Sequence, residues 1–149
     1  MRVEEVMSTD VQTIDVAASA DAAWNQMKVE RIHHLVVLRE HMVVGIISDR
    51  DLGGPHGVAL RQGRTVADLM TSYAVSANRH TTVRQAANLM RGRAIGSLPV
   101  LDRGRLVGII TVSDLLELIG KGLERPIAQA TRRTLRRRAP RRKPIAALR

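Results

Sequence analysis

Two stretches of the chain each present a hydroxyl and a carboxylate side chain three residues apart. Residues 43–52 read V-V-G-I-I-S-D-R-D-L and residues 106–115 read L-V-G-I-I-T-V-S-D-L, so the pairs are Ser48 with Asp51 and Thr111 with Asp114. An ionised carboxylate can accept hydrogen bonds from two hydroxyl groups of a ligand, each worth ~1.5–3 kcal/mol. The same spacing also forms a helix-capping box, which needs no ligand. The pairs therefore predict either a binding site or two helix caps.

These stretches belong to a longer repeat that supplies the elements around them. A gapless alignment of residues 3–52 with residues 66–115 has 15 identical positions in 50, at a constant offset of 63. Such an offset indicates one supersecondary unit used twice. After a short helical turn, each unit is predicted to run β-α-β-β-α, with its last helix opening at Ser48 or Thr111. Ser19 and Thr82 are the predicted starts of the first helices. Each unit is too small to bury its apolar faces alone, so we expect the two to pack on each other.

The domain boundaries follow from the repeat. Residues 1–53 form the first unit, 54–64 a linker, 65–120 the second unit and 121–149 a tail. The glycine-rich start of the linker predicts a loop, and it lacks the Gly-Lys-Ser/Thr ending or glycine fingerprint of a phosphate loop. Thr65 with Asp68 predicts a further capping box where the second unit begins.

Composition and charge limit the possible functions. The 149 residues include no Phe and no Cys. The absence of Cys excludes a disulfide framework, a thiolate metal site and thiol catalysis. Residues 1–120 hold 13 basic and 13 acidic residues, whereas residues 121–149 hold 11 basic residues and one acid, so the net charge of +10 belongs to the tail. The longest apolar runs are strand-length, far below the ~20 residues of a membrane helix. We expect a cytoplasmic protein without a membrane anchor.

The tail has the composition of an arm that binds polyanions. Its candidate contact residues are Arg132, Arg133, Arg136, Arg137, Arg138, Arg141, Arg142 and Lys143. The tail contains no aromatic residue, so any contact with nucleic acid would be electrostatic and independent of sequence. The alternative is a solvated end without a partner.

Two other kinds of site are excluded by the sequence. His33 and His34 are adjacent on a predicted strand, so their side chains point to opposite faces and cannot hold one metal ion together. Ser48, Asp49 and the histidines lack the nucleophile elbow or triad context of a hydrolase. With almost nothing left beyond the repeats and the tail, we expect no enzymatic activity and no required cofactor.

Several motifs resemble those of the cystathionine beta-synthase (CBS) domain, over about Val3 to Gly120. They are Met7-Ser8 and Met70-Thr71, the Leu98-Pro99-Val100 strand, and the two Gly-Ile-Ile-Ser/Thr-x-x-Asp-Leu endings. The resemblance implies an α+β fold of two tandem repeats with pseudo-two-fold symmetry, called a Bateman module. It implies a homodimer that binds an adenosine compound such as AMP, ADP, ATP, S-adenosylmethionine or NAD, and signals to a separate effector protein. A dimeric polyanion-binding protein is the alternative function.

The resemblance also assigns roles to residues. Asp51 and Asp114 would hold ribose hydroxyls, with Ser48 and Thr111 beside the ribose or phosphate. The adenine would lie against Thr13, Ile14 and His34 in the first repeat, and against Ser76, Ala77, Ser97 and Pro99 in the second. The first repeat departs from the pattern at Val36, which replaces the proline. Arg50 adds a cation where the second repeat has Ser113, so the first site should suit a multiply charged phosphate and the second a nucleoside or monophosphate.

Overall fold

The computed structural model describes residues 1–72 and 75–122. The strands are β1 Thr13–Asp15, β2 His34–Arg39, β3 Met42–Ser48, β4 Thr71–Ser72, β5 Ala77–Asn78, β6 Ser97–Asp102 and β7 Arg105–Thr111. The helices are α1 Ala20–Glu30, α2 Val58–Arg61, α3 Val66–Leu69, α4 Val83–Arg93 and α5 Val112–Lys121, with 3-10 turns at Val3–Glu5 and Gly54–His56. Among the described residues, no helix combines the length and the apolar character needed to cross a bilayer.

The two long helices before the hairpins, α1 and α4, start where their capping residues predict. The Ser19 hydroxyl accepts a hydrogen bond from the Ala22 amide, and the Thr82 hydroxyl accepts one from the Gln85 amide, both at 3.0 Å. Each bond satisfies a backbone donor that the first turn of a helix leaves free. Both helices span 11 residues and end in a left-handed residue, Arg31 or Ala94. Equivalent caps thus give equivalent helices.

The strands form two sheets, in the orders β1-β2-β3-β4 and β5-β6-β7. In each sheet the first strand runs parallel to the second, and the second pairs antiparallel with the third. The fourth strand of the first sheet, β4, comes from the second repeat. In return, Ser8 of the first repeat pairs with Ile109 on β7 through hydrogen bonds of 2.9 and 3.0 Å. The opening segment of each repeat therefore pairs with the sheet of the other repeat.

The hydrophobic cores show the same exchange. Val66 lies in the core of the first repeat, with Leu69 and Met70 packed against it. Val3 lies in the core of the second repeat, with Val6 and Met7 packed there. The predicted α+β class and the packing of the two halves on each other are confirmed.

The prediction of a helix opening at Ser48 is wrong. The chain forms a turn from Asp49 to Gly53, and Gly53 adopts a left-handed conformation with φ of 87°. Glycine takes this conformation without steric cost, and it ends any helical continuation. The glycine-rich start of the linker, predicted as a loop, holds the 3-10 turn, and the stretch after it forms α2. In the second repeat, α5 does begin after Thr111, as predicted.

Candidate functional site

A single cleft of about 880 Å³ lies between the repeats and is lined by both Ser/Thr and Asp pairs. Much of its wall consists of residues related by the offset of 63, such as Ser8 with Thr71 and Gln12 with Val75. Ile46 and Ile109 contribute apolar surface to the same wall. The cleft therefore follows the pseudo-two-fold relation of the repeats and contains two half-sites, one around Asp51 and one around Asp114.

Both polar pairs form reciprocal caps. The Ser48 amide donates to Asp51 Oδ2 at 2.9 Å, and the Asp51 amide donates to the Ser48 hydroxyl at 3.1 Å. Thr111 and Asp114 repeat this arrangement at 2.8 and 3.1 Å. Among the hydrogen bonds of residues 1–72 and 75–122, none uses Oδ1 of either carboxylate. Each half-site thus holds a half-buried, oriented carboxylate with one oxygen available to a ligand.

The structure brings eight of the twelve predicted ligand residues to the cleft. These are Ser48, Arg50, Asp51, His34, Ser97, Pro99, Thr111 and Asp114. It does not bring Thr13, Ile14, Ser76 or Ala77 there. Ile14 and Ala77 are buried in the two cores, and the cleft wall is formed by Gln12 and Val75, which precede them by two residues.

His34 lies where the two repeats meet. A Cβ atom added to Gly96 of the second repeat would be only 3.3 Å from His34 Nε2, so the ring packs against a position without a side chain. Burial lowers the pKa of His34 below its usual 6.5, although Asp49 and Asp51 act in the opposite direction. The imidazole is therefore predominantly neutral at pH 7, because burial penalises its charged form.

Sequence reasoning missed several residues that also line the cleft. One of them is Asp49, whose Oδ2 is hydrogen-bonded to His33 Nδ1 at 2.9 Å. Arg31 and Arg93 stand at the ends of α1 and α4 and line the cleft as well. Their position just before β2 and β6 was the available signal, because β2 and β6 begin with cleft residues His34 and Ser97.

A buried arginine in the linker was missed too. Arg61 is only 4% exposed, and its Nη1 donates to the carbonyls of Leu52 and Gly54, both at 2.8 Å. The guanidinium lies over the Trp24 ring, 4.2 Å from its centroid, and Nε is 3.6 Å from Asp21, too long for a hydrogen bond. In the second repeat, α5 continues directly after Thr111. In the first, Arg61 holds the turn that follows Asp51.

Two β-α-β-β-α repeats that exchange opening segments around a shared cleft define a CBS domain pair. The chain belongs to this family: the CBS domain model matches residues 3–52 and 66–121. A CBS domain-containing protein of Dictyostelium discoideum is 36% identical over 135 residues, covering 82% of this chain and 93% of that protein.

Two of the similar solved structures hold adenosine compounds. The CBS domain pair of protein MJ0100, in complex with 5'-methylthioadenosine and S-adenosyl-L-methionine, is 28% identical with a TM-score of 0.72 and covers 80% of this chain and 100% of that one. CBSX2 in complex with AMP is 25% identical with a TM-score of 0.68, covering 80% of this chain and 96% of that one.

Proposed function

We propose that this protein is a non-enzymatic regulatory module that binds an adenosine compound in the cleft and signals to a separate partner chain. The observation that carries the proposal is that Asp51 and Asp114 both line one cleft and are held by caps that use Oδ2 and leave Oδ1 unused. The adenosine ligands of the MJ0100 pair and of CBSX2 support this ligand class.

The chemistry of binding follows from the geometry of the half-sites. The free oxygen of each aspartate accepts hydrogen bonds from the ribose hydroxyls, and these bonds are strengthened by the negative charge. Apolar surface of the cleft, including Ile46 and Ile109, covers the base. A ligand that touches both repeats favours one relative packing of the two, and the partner chain senses that packing.

The test is thermal unfolding of the full chain with a panel of AMP, ADP, ATP, S-adenosylmethionine, 5'-methylthioadenosine and NAD. A ligand that binds the folded state at 100 times its Kd stabilises it by ~2.7 kcal/mol. Replacing Asp51→Asn or Asp114→Asn keeps an oxygen for the cap and removes the charge, so we expect each variant to lose most of the stabilisation by the ligand of its half-site.

Asp68→Asn is the matched control. Asp68 forms the same kind of reciprocal cap, with its Oδ2 accepting from the Thr65 amide at 2.9 Å, but it does not line the cleft. This variant should respond to ligands as the wild type does. A panel without any stabilising compound at millimolar concentration would refute the proposal, and so would equal losses in all three variants.

A further inference from the structure

Three arginines around the cleft have no partner among the described residues. Arg31, Arg50 and Arg93 line the cleft, and no side-chain hydrogen bond or ion pair within residues 1–72 and 75–122 involves them. The cleft acids, in contrast, each have one partner already, although the caps leave Oδ1 of Asp51 and Asp114 unused. Asp49 is bonded to His33, Asp51 and Asp114 are bonded in their caps, and Asp10 accepts from Gln12 at 3.5 Å. The charges left for a ligand to pair with are therefore predominantly positive.

These charges are distributed unequally between the repeats. At the positions related by 63, Arg50 corresponds to Ser113 and Arg31 corresponds to Ala94. The neighbouring His33 and His34 correspond to Gly96 and Ser97. Arg93 is the one basic residue on the second wall of the described cleft. The first repeat thus contributes two unpartnered guanidinium groups to the cleft, at positions where the second repeat has the small uncharged side chains of Ala94 and Ser113.

We infer that the two half-sites take different ligands: the Asp51 half-site binds an adenosine compound with phosphates at its 5' position, and the Asp114 half-site binds one without phosphate. This inference rests on the proposed function. A guanidinium pairs with phosphate oxygens through two parallel hydrogen bonds, and Arg50 is the immediate neighbour of the ribose-binding Asp51.

The Asp114 half-site has less of this compensation, because Arg93 is the one unpartnered arginine on the described wall of the second repeat. Its equivalent of Arg50 is Ser113, and its Asp114 carboxylate repels a nearby phosphate. An uncharged or cationic group at the 5' position meets no such repulsion. The asymmetry of the cleft therefore selects between ligands that share the same adenosine part.

The repeat provides its own test by exchange of equivalent residues. Titration calorimetry of the full chain should detect one tight ATP site and one adenosine site per chain. Arg50→Ser should weaken ATP binding about ten-fold or more, the effect of losing one charge-assisted contact, and leave adenosine binding within about two-fold. Ser113→Arg should raise the number of ATP sites to two. Both positions are exposed, so neither change disturbs a core.

Arg39→Ser is the control, because Arg39 is exposed on β2 and does not line the cleft. Thermal unfolding without ligand verifies that each variant is folded. The inference is overturned if wild type binds two equivalent ATP molecules, if Arg50→Ser leaves ATP binding unchanged, or if it weakens ATP and adenosine equally. If neither compound binds the wild type but another adenosine compound of the panel does, the inference is overturned and the proposed function stands. If no compound of the panel binds, both are refuted.

Discussion

The capping box and the ligand site are compatible at the level of single residues. In both repeats the aspartate lines the cleft, and the cap uses its Oδ2 and leaves its Oδ1 unused. The cap also fixes the rotamer of the carboxylate before any ligand arrives, which lowers the entropy that binding must overcome. The two interpretations of the Ser/Thr-x-x-Asp spacing are therefore compatible, and the ligand-binding role of these side chains stays a prediction.

His34 gives the folded protein a specific pH dependence. Its pKa is lowered mainly by burial, with His33 and Arg50 acting in the same direction and Asp49 and Asp51 opposing it. Between this lowered pKa and 6.5, the unfolded chain binds more protons than the folded chain, so the free energy of unfolding decreases as the pH falls through that interval. Above 6.5 this group has no effect.

We expect His34→Ser, which introduces the residue of the second repeat, to reduce this decrease. Urea unfolding at pH 7.5 and at pH 5.5 measures the difference for wild type and variant. His80→Ser, which alters an exposed imidazole away from the cleft, serves as the control. If His34→Ser and wild type lose the same free energy between the two pH values, His34 is not the source of the dependence.

Among the elements, the glycine of each repeated motif permits the exchange of opening segments. A Cβ atom at Gly45 would lie 2.7 Å from the Thr71 carbonyl oxygen, and one at Gly108 would lie 3.0 Å from the Ser8 carbonyl oxygen. Both also approach a methionine sulfur, that of Met70 or Met7. The strands β3 and β7 thus need a residue without a side chain where the other repeat crosses them.

Gly45→Ala should destabilise the protein by ~1–3 kcal/mol, and Gly108→Ala should cost less. The backbone oxygen facing Gly45 is closer and cannot rotate away as a methionine side chain can. Gly92→Ala on α4 has open space around it and should instead stabilise by ~0.5–1 kcal/mol through helix propensity. Urea unfolding midpoints test this order of stabilities. A Gly45→Ala variant as stable as wild type would contradict the close approach of the Thr71 backbone to Gly45.

Local signals in the sequence predicted where α1, α3 and α4 begin, because a cap acts over only a few residues. Ser19, Thr82 and Thr65 each cap the helix that they were predicted to cap. The turn that replaces the helix after Ser48 was not predicted, because its contacts with Arg61, at the carbonyls of Leu52 and Gly54, join residues nine and seven positions apart. The choice of partner sheet for each opening segment is a tertiary effect, and nothing local specifies it.

At the level of the cleft, the sequence identified the side chains that carry charge or hydroxyl groups in the repeated motif. Of the predicted base-facing residues, Ile14 and Ala77 are buried in the cores, whereas Gln12 and Val75, two residues earlier, line the cleft. Which residues contact a base stays a prediction. For Arg31 and Arg93 the sequence offers only an indirect signal, their place shortly before the cleft residues His34 and Ser97, because these arginines lie at helix ends outside the repeated motif.

For the whole molecule, the main contrast is in net charge: the repeat region has equal numbers of basic and acidic residues, and the tail is strongly basic. The predicted polyanion contacts, from Arg132 to Lys143, lie outside the described residues. Polyanion binding therefore stays a prediction from composition. If it holds, binding of generic duplex DNA should weaken steeply between 50 and 200 mM salt and disappear on truncation after Gly122. Fluorescence anisotropy measures both. Binding that is insensitive to salt, or that survives truncation, would contradict the prediction.

Homodimer formation also stays a prediction. Val112, Leu116 and Ile119 on α5 are 41%, 63% and 45% exposed and lie along one side of the helix, so they offer an apolar surface that a second copy could cover. Light scattering of the full chain gives the number of copies.

The exchange of opening segments has a consequence for how such a protein could arise. A chain with only one repeat would leave its sheet without the crossing segment and its core without the residue that Val3 or Val66 supplies. Such a chain could complete its sheet and its core by exchanging that segment with a second molecule, as in domain swapping. In the present chain, the linker joins the two repeats that exchange segments and so keeps them at a high effective concentration relative to each other. Once joined in one chain, the two copies could diverge one position at a time. The difference between Arg50 and Ser113 in the cleft is one such divergence.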